Sequence, residues 1–308
     1  MAQDRSRWGV TALAACAPVS WGTTYLVTTE FLPPGQPLVS GVIRALPAGL
    51  VLLAVTRRLP HGVWLARALV LGTLNIGALF ALLFVAAYRL PGGVAATLFA
   101  VQPLLVAALA LLLLGERPSR WRLGWGLVGV VGVGLIVLRG RLAFDALGVL
   151  AGIGAAGVMA AGIVLVKRWG RPPGVGPAAL AGWQLTAGGL VLLPLALAFE
   201  DAPTVWDAGA IGGYAWLATA GALLAYPVWF RGIGQLPVVA VSFLTLLSPA
   251  VAAVLGRLFL DEGLTPWQGV GFVLALTAIA AAQLTPDAVR ELIPTRNPTR
   301  NPTKNRGN

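Results

Sequence analysis

The sequence predicts an all-α integral membrane protein of ten transmembrane helices, arranged as two inverted five-helix repeats. Three observations carry that prediction: a composition poor in charge, a regular series of long apolar runs, and a second half that repeats the first. Of 308 residues, 57% are hydrophobic and 11% charged, with a mean hydropathy of +0.82. A soluble domain carries about 25% charged residues, so a soluble globular protein is excluded. Disorder, collagen and a disulfide scaffold are excluded with it. At about 20 apolar residues per crossing, the chain holds roughly ten spans and no soluble catalytic domain.

The apolar runs fall at 10–30, 37–55, 68–88, 91–114, 122–138, 146–166, 176–199, 208–230, 237–259 and 266–284. Strands of a membrane barrel alternate in segments of about ten residues. Runs such as Leu104-Leu105-Val106-Ala107-Ala108-Leu109-Ala110 do not alternate, so the spans are helices. Leu13-Ala14-Ala15-Cys16 matches a lipoprotein processing box, but the apolar run continues past Cys16 and makes a first span.

Orientation follows from the basic residues, which are retained on the cytoplasmic side. With both termini cytoplasmic, 17 of the 22 Lys and Arg residues fall inside and 3 outside (Arg89, Arg139 and Arg141); Arg44 and Arg257 lie within spans. The net charge of +11 therefore reports membrane orientation, not nucleic-acid binding. The tail after residue 286 repeats a polar Thr-Arg-Asn-Pro unit with no apolar face, the pattern of a disordered segment.

Cys16 and His61 are the sole residues of their types, which leaves no disulfide, no zinc set and no Ser-His-Asp triad. No cofactor is expected.

The halves match without a gap at an offset of 146. Leu98 falls on Leu244, Pro103 on Pro249, Glu116 on Glu262 and Trp121 on Trp267. At an offset of 140, Gly49-Leu50-Val51-Leu52-Leu53 falls on Gly189-Leu190-Val191-Leu192-Leu193. The repeats are 1–144 and 145–286, followed by the tail 287–308. Five spans per repeat is an odd number, so the second repeat enters the membrane from the opposite side. The loops agree: Arg117, Arg120 and Arg122 follow span 4, whereas Asp261 and Glu262 follow span 9. Inverted repeats of this kind build alternating-access transporters with a midplane site.

These residues also carry a resemblance. Tyr88 through Trp121, with Pro91, Pro103 and Gly115-Glu116, resembles the EamA signature, and residues 230–284 resemble its second copy. Asp261-Glu262 replaces Gly-Glu there. Arg44 matches an arginine common in span 2 of that family, and span 7 departs from the first repeat by having Gln184 in its place. The resemblance implies the drug/metabolite transporter superfamily, a central cavity and a multi-pass protein of the bacterial inner (plasma) membrane. It is nearest to the YddG-like amino acid exporter branch, which implies outward transport of small metabolites, often amino acids.

Polar groups in hydrocarbon are costly unless partnered, so they are the first candidates for a substrate site. Trp21, Tyr25, Asn75, Phe99, Gln102, Met159, Tyr226, Ser242 and Thr245 are the expected lining, with Thr97 and Trp229 beside them. Tyr and Trp present an apolar face plus one hydrogen-bonding group, which suits an amphipathic metabolite. Against this, Ser and Thr in a span often bond back to their own helix. Arg44 lies about 10 Å from the outer end of span 2. It snorkels outward, bonds neighbouring carbonyls or meets a substrate carboxylate. Pro103 and Pro249 are static kinks or paired hinges at the cavity edge. Trp8, Trp64, Trp121, Trp206 and Trp267 sit at span ends, the place of interfacial anchors. Arg257 and Asp261 are one turn apart, as in a structural ion pair. Glycines of span 5 from Gly124 to Gly134 suit close packing within a monomer.

No Asp or Glu falls at the centre of a span. Proton coupling usually needs an embedded carboxylate or histidine, so uncoupled facilitated transport is expected. Export of drugs or other metabolites is the alternative substrate class. A membrane-embedded lipid-modifying enzyme is the alternative class of function, but it would need converging acid, base or metal groups. The expected partners are a small-molecule substrate and the bilayer.

The orientation makes a testable prediction. In intact cells, a cysteine replacing Asn301 is shielded from an impermeant thiol reagent, and a cysteine replacing Ala202 is labelled. The reverse pattern would overturn the topology and the inversion of the repeats with it.

Overall fold

A computed structural model describes residues 2–89, 98–137, 145–201, 206–259 and 265–284. The first span is α1 (Ala2–Gly22) and α2 (Thr24–Phe31), joined at Thr23, whose hydroxyl bonds the Ser20 carbonyl at 2.7 Å. Next come α3 (Pro37–Thr56), then α4 (Val63–Gly72), which runs through a π-helical turn, Thr73–Gly77, into α5 (Ala78–Arg89). The first half continues with α6 (Gln102–Leu114) and α7 (Arg120–Val137). The second begins with α8 (Ala146–Trp169), α9 (Pro177–Phe199) and α10 (Ala208–Ala218), which passes through a second π-helical turn, Thr219–Leu224, into α11 (Ala225–Gln235). The last elements are α12 (Val238–Phe243), the 3-10 turn Leu244–Leu246, α13 (Leu247–Phe259) and α14 (Pro266–Gln283).

Local chemistry sets the ends. Asp145 and Asp207 accept the amides of Gly148 and Ala210, both at 2.7 Å, at the starts of α8 and α10. These are side-chain caps of the kind Asp favours. Thr265 and Gln268 form a capping box at α14. The start of α3 is capped from another helix. Both oxygens of Glu200, after α9, accept amides of Leu38 and Val39 at 2.8 Å. A carboxylate there meets the positive end of the helix dipole.

Among the described residues, seven helical stretches are long and apolar enough to cross a membrane: 8–31, 37–56, 63–83, 146–169, 177–199, 208–235 and 238–259. The expected spans 91–114, 122–138 and 266–284 correspond to the shorter helices α6, α7 and α14. Residues 91–97 lie outside the described residues, as do the tail 287–308 and the Asp261-Glu262 loop. The third span begins earlier than its apolar run, at Val63, because Trp64 and Arg67 extend the helix with groups that stack on each other.

Small residues set the seams. A Cβ at Gly49 of α3 would stand 2.5 Å from the amide nitrogen of Thr186 in α9. One at Gly189 would stand 2.9 Å from Leu46 Cβ. A Cβ at Gly132 of α7 would meet Ala275 N of α14 at 2.7 Å. Without a hydrophobic drive between helices in lipid, such close backbone contact is what holds spans together. The pairings come in matched sets: α5 lies on α8 as α11 lies on α1, and α6 lies on α8 as α13 lies on α1. Large apolar side chains such as Leu112, Leu197 and Val55 face outward, each more than 70% exposed. Buried polar side chains, including Arg44, Asn75, Gln102 and Gln184, lie between the helices.

The α3–α9 seam predicts a contrast between two glycines. Gly49→Ala forces backbones apart and should cost about 1–3 kcal/mol, the usual range for overpacking. Gly124→Ala meets nothing within 4 Å and should be neutral or stabilising by up to ~1 kcal/mol, the helix-propensity gain. Thermal unfolding in detergent reads both. Equal effects would mean that the seam is not close-packed.

Candidate functional site

The site is built on two π-helical turns. They occupy the same place in the two halves: at the offset of 146, Thr73 falls on Thr219 and Asn75 on Gly221. A π turn widens the helix, breaks the regular hydrogen-bond ladder and is frequent at functional sites. Here each turn receives a polar side chain from the opposite half.

In the second half, the Gly221 carbonyl accepts two bonds. Trp21 Nε1 of α1 donates at 3.0 Å and Arg44 Nη2 of α3 donates at 3.0 Å. Arg44 Nη1 also reaches Thr24 Oγ1 at 3.4 Å. The guanidinium lies 5.5 Å from the centroid of Phe80, within cation–π range. Arg44 is 8% exposed and its Nε has no protein partner. Of the readings open from the sequence, a bond to a neighbouring carbonyl is what the structure places there.

Trp21 also starts a chain of rings. Its indole is 5.3 Å from Tyr226 and 5.3 Å, edge-on, from Trp229; Tyr226 in turn lies 5.8 Å from Phe230. Such separations are in the favourable range for aromatic pairs. The spacing of 226, 229 and 230 puts all three on one face of α11.

In the first half, Asn75 Nδ2 donates to Gln184 Oε1 at 2.8 Å. Gln184 is fully buried, and its Nε2 has no protein partner. Gly162 of α8 makes room, because a Cβ there would collide with the Asn75 amide. Gln184 is the residue that the offset of 140 sets on Arg44. Thus the polar side chain of span 2 holds the π turn of the second half, and that of span 7 holds the π turn of the first.

A third cluster sits where spans 4 and 9 are broken. Gln102 and Pro103 are the first residues of α6, and Pro249 is the third residue of α13, just after the 3-10 turn. Proline cannot donate a helical bond and disfavours helix at the residue before it, which accounts for both breaks. The Thr245 hydroxyl is shared between Gln102 Oε1 at 2.9 Å and the Ser242 carbonyl at 2.7 Å. Ser242 Oγ bonds back to Val239 O at 2.7 Å. Gln102 Nε2 is buried without a protein partner.

The other expected residues distribute as follows. Phe99 is half-buried just before the first break, and Met159 is buried on α8. Tyr25 belongs to α2, but its side chain lies outside the described residues, as does Thr97. Trp8, Trp206 and Trp267 are more than half exposed near helix ends. Trp64 packs instead with Trp183 and under Arg67, and Trp121 donates to the Ala281 carbonyl at 2.8 Å. Sequence reasoning did not pair Asn75 with Gln184, and it missed the Gly221 carbonyl and Phe80. The repeat alignment was the available signal for the pair, since it sets Gln184 where Arg44 stands. Among the described residues no cluster of His, Cys, Asp or Glu is placed to hold a metal.

Known proteins match this chain along nearly its whole length. The profile of the EamA-like transporter family matches residues 8–138 and again 146–282. Protein PecM of Dickeya dadantii (strain 3937) is 44% identical over 267 residues, covering 87% of this chain and 90% of that protein. The threonine/homoserine exporter RhtA of Escherichia coli (strain K12) is 31% identical over 214 residues, covering 68% of this chain and 67% of its own length. A protein of known crystal structure superposes with a TM-score of 0.78 over 92% of this chain and 98% of its own, at 20% identity, which is a likeness of fold.

The Asn75–Gln184 bond predicts a coupled pair. Asn75→Leu or Gln184→Leu alone strands a buried amide and should cost about 1–3 kcal/mol. The double variant should lose less than the sum, by about 0.6–1.7 kcal/mol, the range seen for hydrogen bonds between membrane helices. Unfolding of the four proteins in detergent reads the coupling. Strictly additive losses would show that the two amides do not hold each other.

Proposed function

The chain belongs to the EamA-like transporter family, and from that premise we propose that it is an alternating-access exporter of small amphipathic metabolites, amino acids including aromatic ones. Its ten spans form two inverted five-helix repeats around a central cavity, in the inner membrane, with both termini cytoplasmic and the monomer as the working unit. The observation that carries this reading is the exchange of polar contacts between halves. Arg44 reaches the Gly221 carbonyl and Gln184 reaches Asn75. Each contact joins the two repeats at corresponding places, which is what two halves need in order to trade conformations about a midplane site. Membership of a transporter family also sets aside the lipid-modifying enzyme.

The substrate class is supported by the chemistry of the clasps and of the cluster at the breaks of spans 4 and 9. Trp21 and Tyr226 offer ring faces. Arg44 Nε, Gln102 Nε2 and Gln184 Nε2 are buried donors without a protein acceptor, and a carboxylate brings only acceptors. In this reading Arg44 meets the substrate carboxylate. Tyr25, Asn75, Phe99, Met159, Ser242 and Thr245 complete the lining, and Pro103 and Pro249 are the hinges. The likeness to RhtA, a threonine/homoserine exporter, favours amino acids over drugs. With no acid at the centre of a span, transport runs downhill without a coupled proton.

Purified protein in liposomes, assayed with labelled amino acids, tests the reading. Flux is expected for threonine and phenylalanine without a proton gradient. Trp21→Ala should weaken phenylalanine binding by up to about tenfold, the equivalent of about 0.5–1.5 kcal/mol for an aromatic pair. Threonine and alanine should be affected less, because they have no ring to stack. Trp8→Ala should leave substrate preference alone. Equal loss for all substrates per folded protein would place Trp21 in the packing, and absence of all flux would remove the exporter.

A further inference from the structure

A cavity lies away from the clasps, at the end of the bundle that holds the last turn of α8. Its volume is about 430 Å³, and Lys167, Arg171, Gly170, Gly174, Val175 and Phe230 are among its walls. The loop that forms its rim is built to turn tightly. Gly170 and Gly174 adopt φ values of 62° and 73°, a region open to glycine and costly for other residues. Val175 N closes the turn on Pro172 O at 3.1 Å.

Two cations line this space, and among the described residues no carboxylate forms an ion pair with either. Glu116 acts on Lys167 only through space. Lys167 Nζ donates to Leu236 O at 2.9 Å and, at 3.5 Å, to Gly234 O. Arg171 is exposed and makes one long contact, Nη1 to Val175 O at 3.5 Å, so most of its donor fork is open to solvent and to a ligand. The inner wall, Phe230, is the end of the ring chain that continues through Tyr226 to Trp21. The cavity therefore sets positive charge that no described carboxylate pairs directly at one end of a packed chain of rings that reaches Trp21.

We propose that this cavity is an anion-binding mouth of the transport route. It takes a carboxylate or phosphate group: the carboxylate of the metabolite before its apolar end passes Phe230, or the headgroup phosphate of an inner-leaflet lipid. Arg171 supplies a planar fork that fits either anion with two parallel bonds, and Lys167 adds a point charge. Concentrating the substrate there raises its rate of capture without tightening the central site. The metabolite source rests on the exporter reading above; the lipid source does not.

The test uses the full chain carrying Arg171→Gln, with Arg171→Lys as the conservative control. Arg171 is the chosen position because the bond to the α11 end belongs to Lys167. In proteoliposomes, Arg171→Gln is expected to raise KM for phenylalanine entering from the loop side by about two- to fivefold, the worth of a partly exposed ion pair, with kcat retained. Arg171→Lys should recover part of the loss, and phenylalaninol, which lacks the carboxylate, should be unaffected. Native mass spectrometry with phosphatidylglycerol reads the lipid source. A retained lipid in the wild type that Arg171→Gln loses, with KM unchanged, assigns the site to a headgroup. If the wild type moves no amino acid but lipid retention still depends on Arg171, the exporter reading fails and the anion site stands. The proposal is overturned if neither KM nor lipid retention responds, or if phenylalaninol loses as much as phenylalanine.

Discussion

Inside a bilayer every backbone carbonyl released from its helical ladder must find a donor, because hydrocarbon offers none. The Gly221 carbonyl is where this constraint bears hardest on the molecule. It lies in a π turn and is met by an indole N–H from α1 and a guanidinium from α3. One oxygen thus joins spans 1, 2 and 8. Burying Arg44 beside it would be costly on its own. The Gly221 carbonyl itself, the Thr24 hydroxyl and the Phe80 ring give that charge its partners.

The two clasps are alike in place and unlike in chemistry. Arg44 stands five residues before Gly49 and Gln184 five before Gly189, so each clasp lies roughly 7.5 Å along its helix from that helix's own seam glycine. The seam between α3 and α9 is backbone against backbone and has little room to deform. In the proposed exchange of conformations it is the axis, and the clasps lie to either side of it. One is a charged group on a carbonyl, the other a neutral amide pair. A clasp of two amides is easier to part than one that would leave a guanidinium unpartnered.

Much of this was legible in the sequence, and the reasons are physical. Apolar run length reports the bilayer directly, so the positions of the helices followed from composition. Paired prolines flagged Pro103 and Pro249, and both breaks lie at them because the missing amide acts locally. Trp21, Tyr226, Gln102 and Thr245 stood out as polar groups in hydrocarbon, and they proved to be in contact with one another's helices. The π turns were not legible. Thr73–Gly77 and Thr219–Leu224 share no composition that marks a widened turn, and the widening depends on which side chain arrives from a different span. For the same reason Asn75 could be singled out as a candidate while its partner could not. Trp64 and Trp121 read as interfacial anchors because they sit at span ends, and the contacts they make there with Trp183 and the Ala281 carbonyl of other helices were not visible in the sequence.

The central claim is that the two repeats exchange conformations about the glycine seam, and paired distances test it most directly. Spin labels at Leu65 and Arg231, and in a second protein at Phe31 and Phe199, report the two ends of the bundle from exposed positions. Pulsed electron resonance in lipid nanodiscs, with and without saturating threonine or phenylalanine, then gives both distances. The account predicts opposite changes, one end closing as the other opens. Distances that stay fixed at both ends, or move in the same sense, would contradict it.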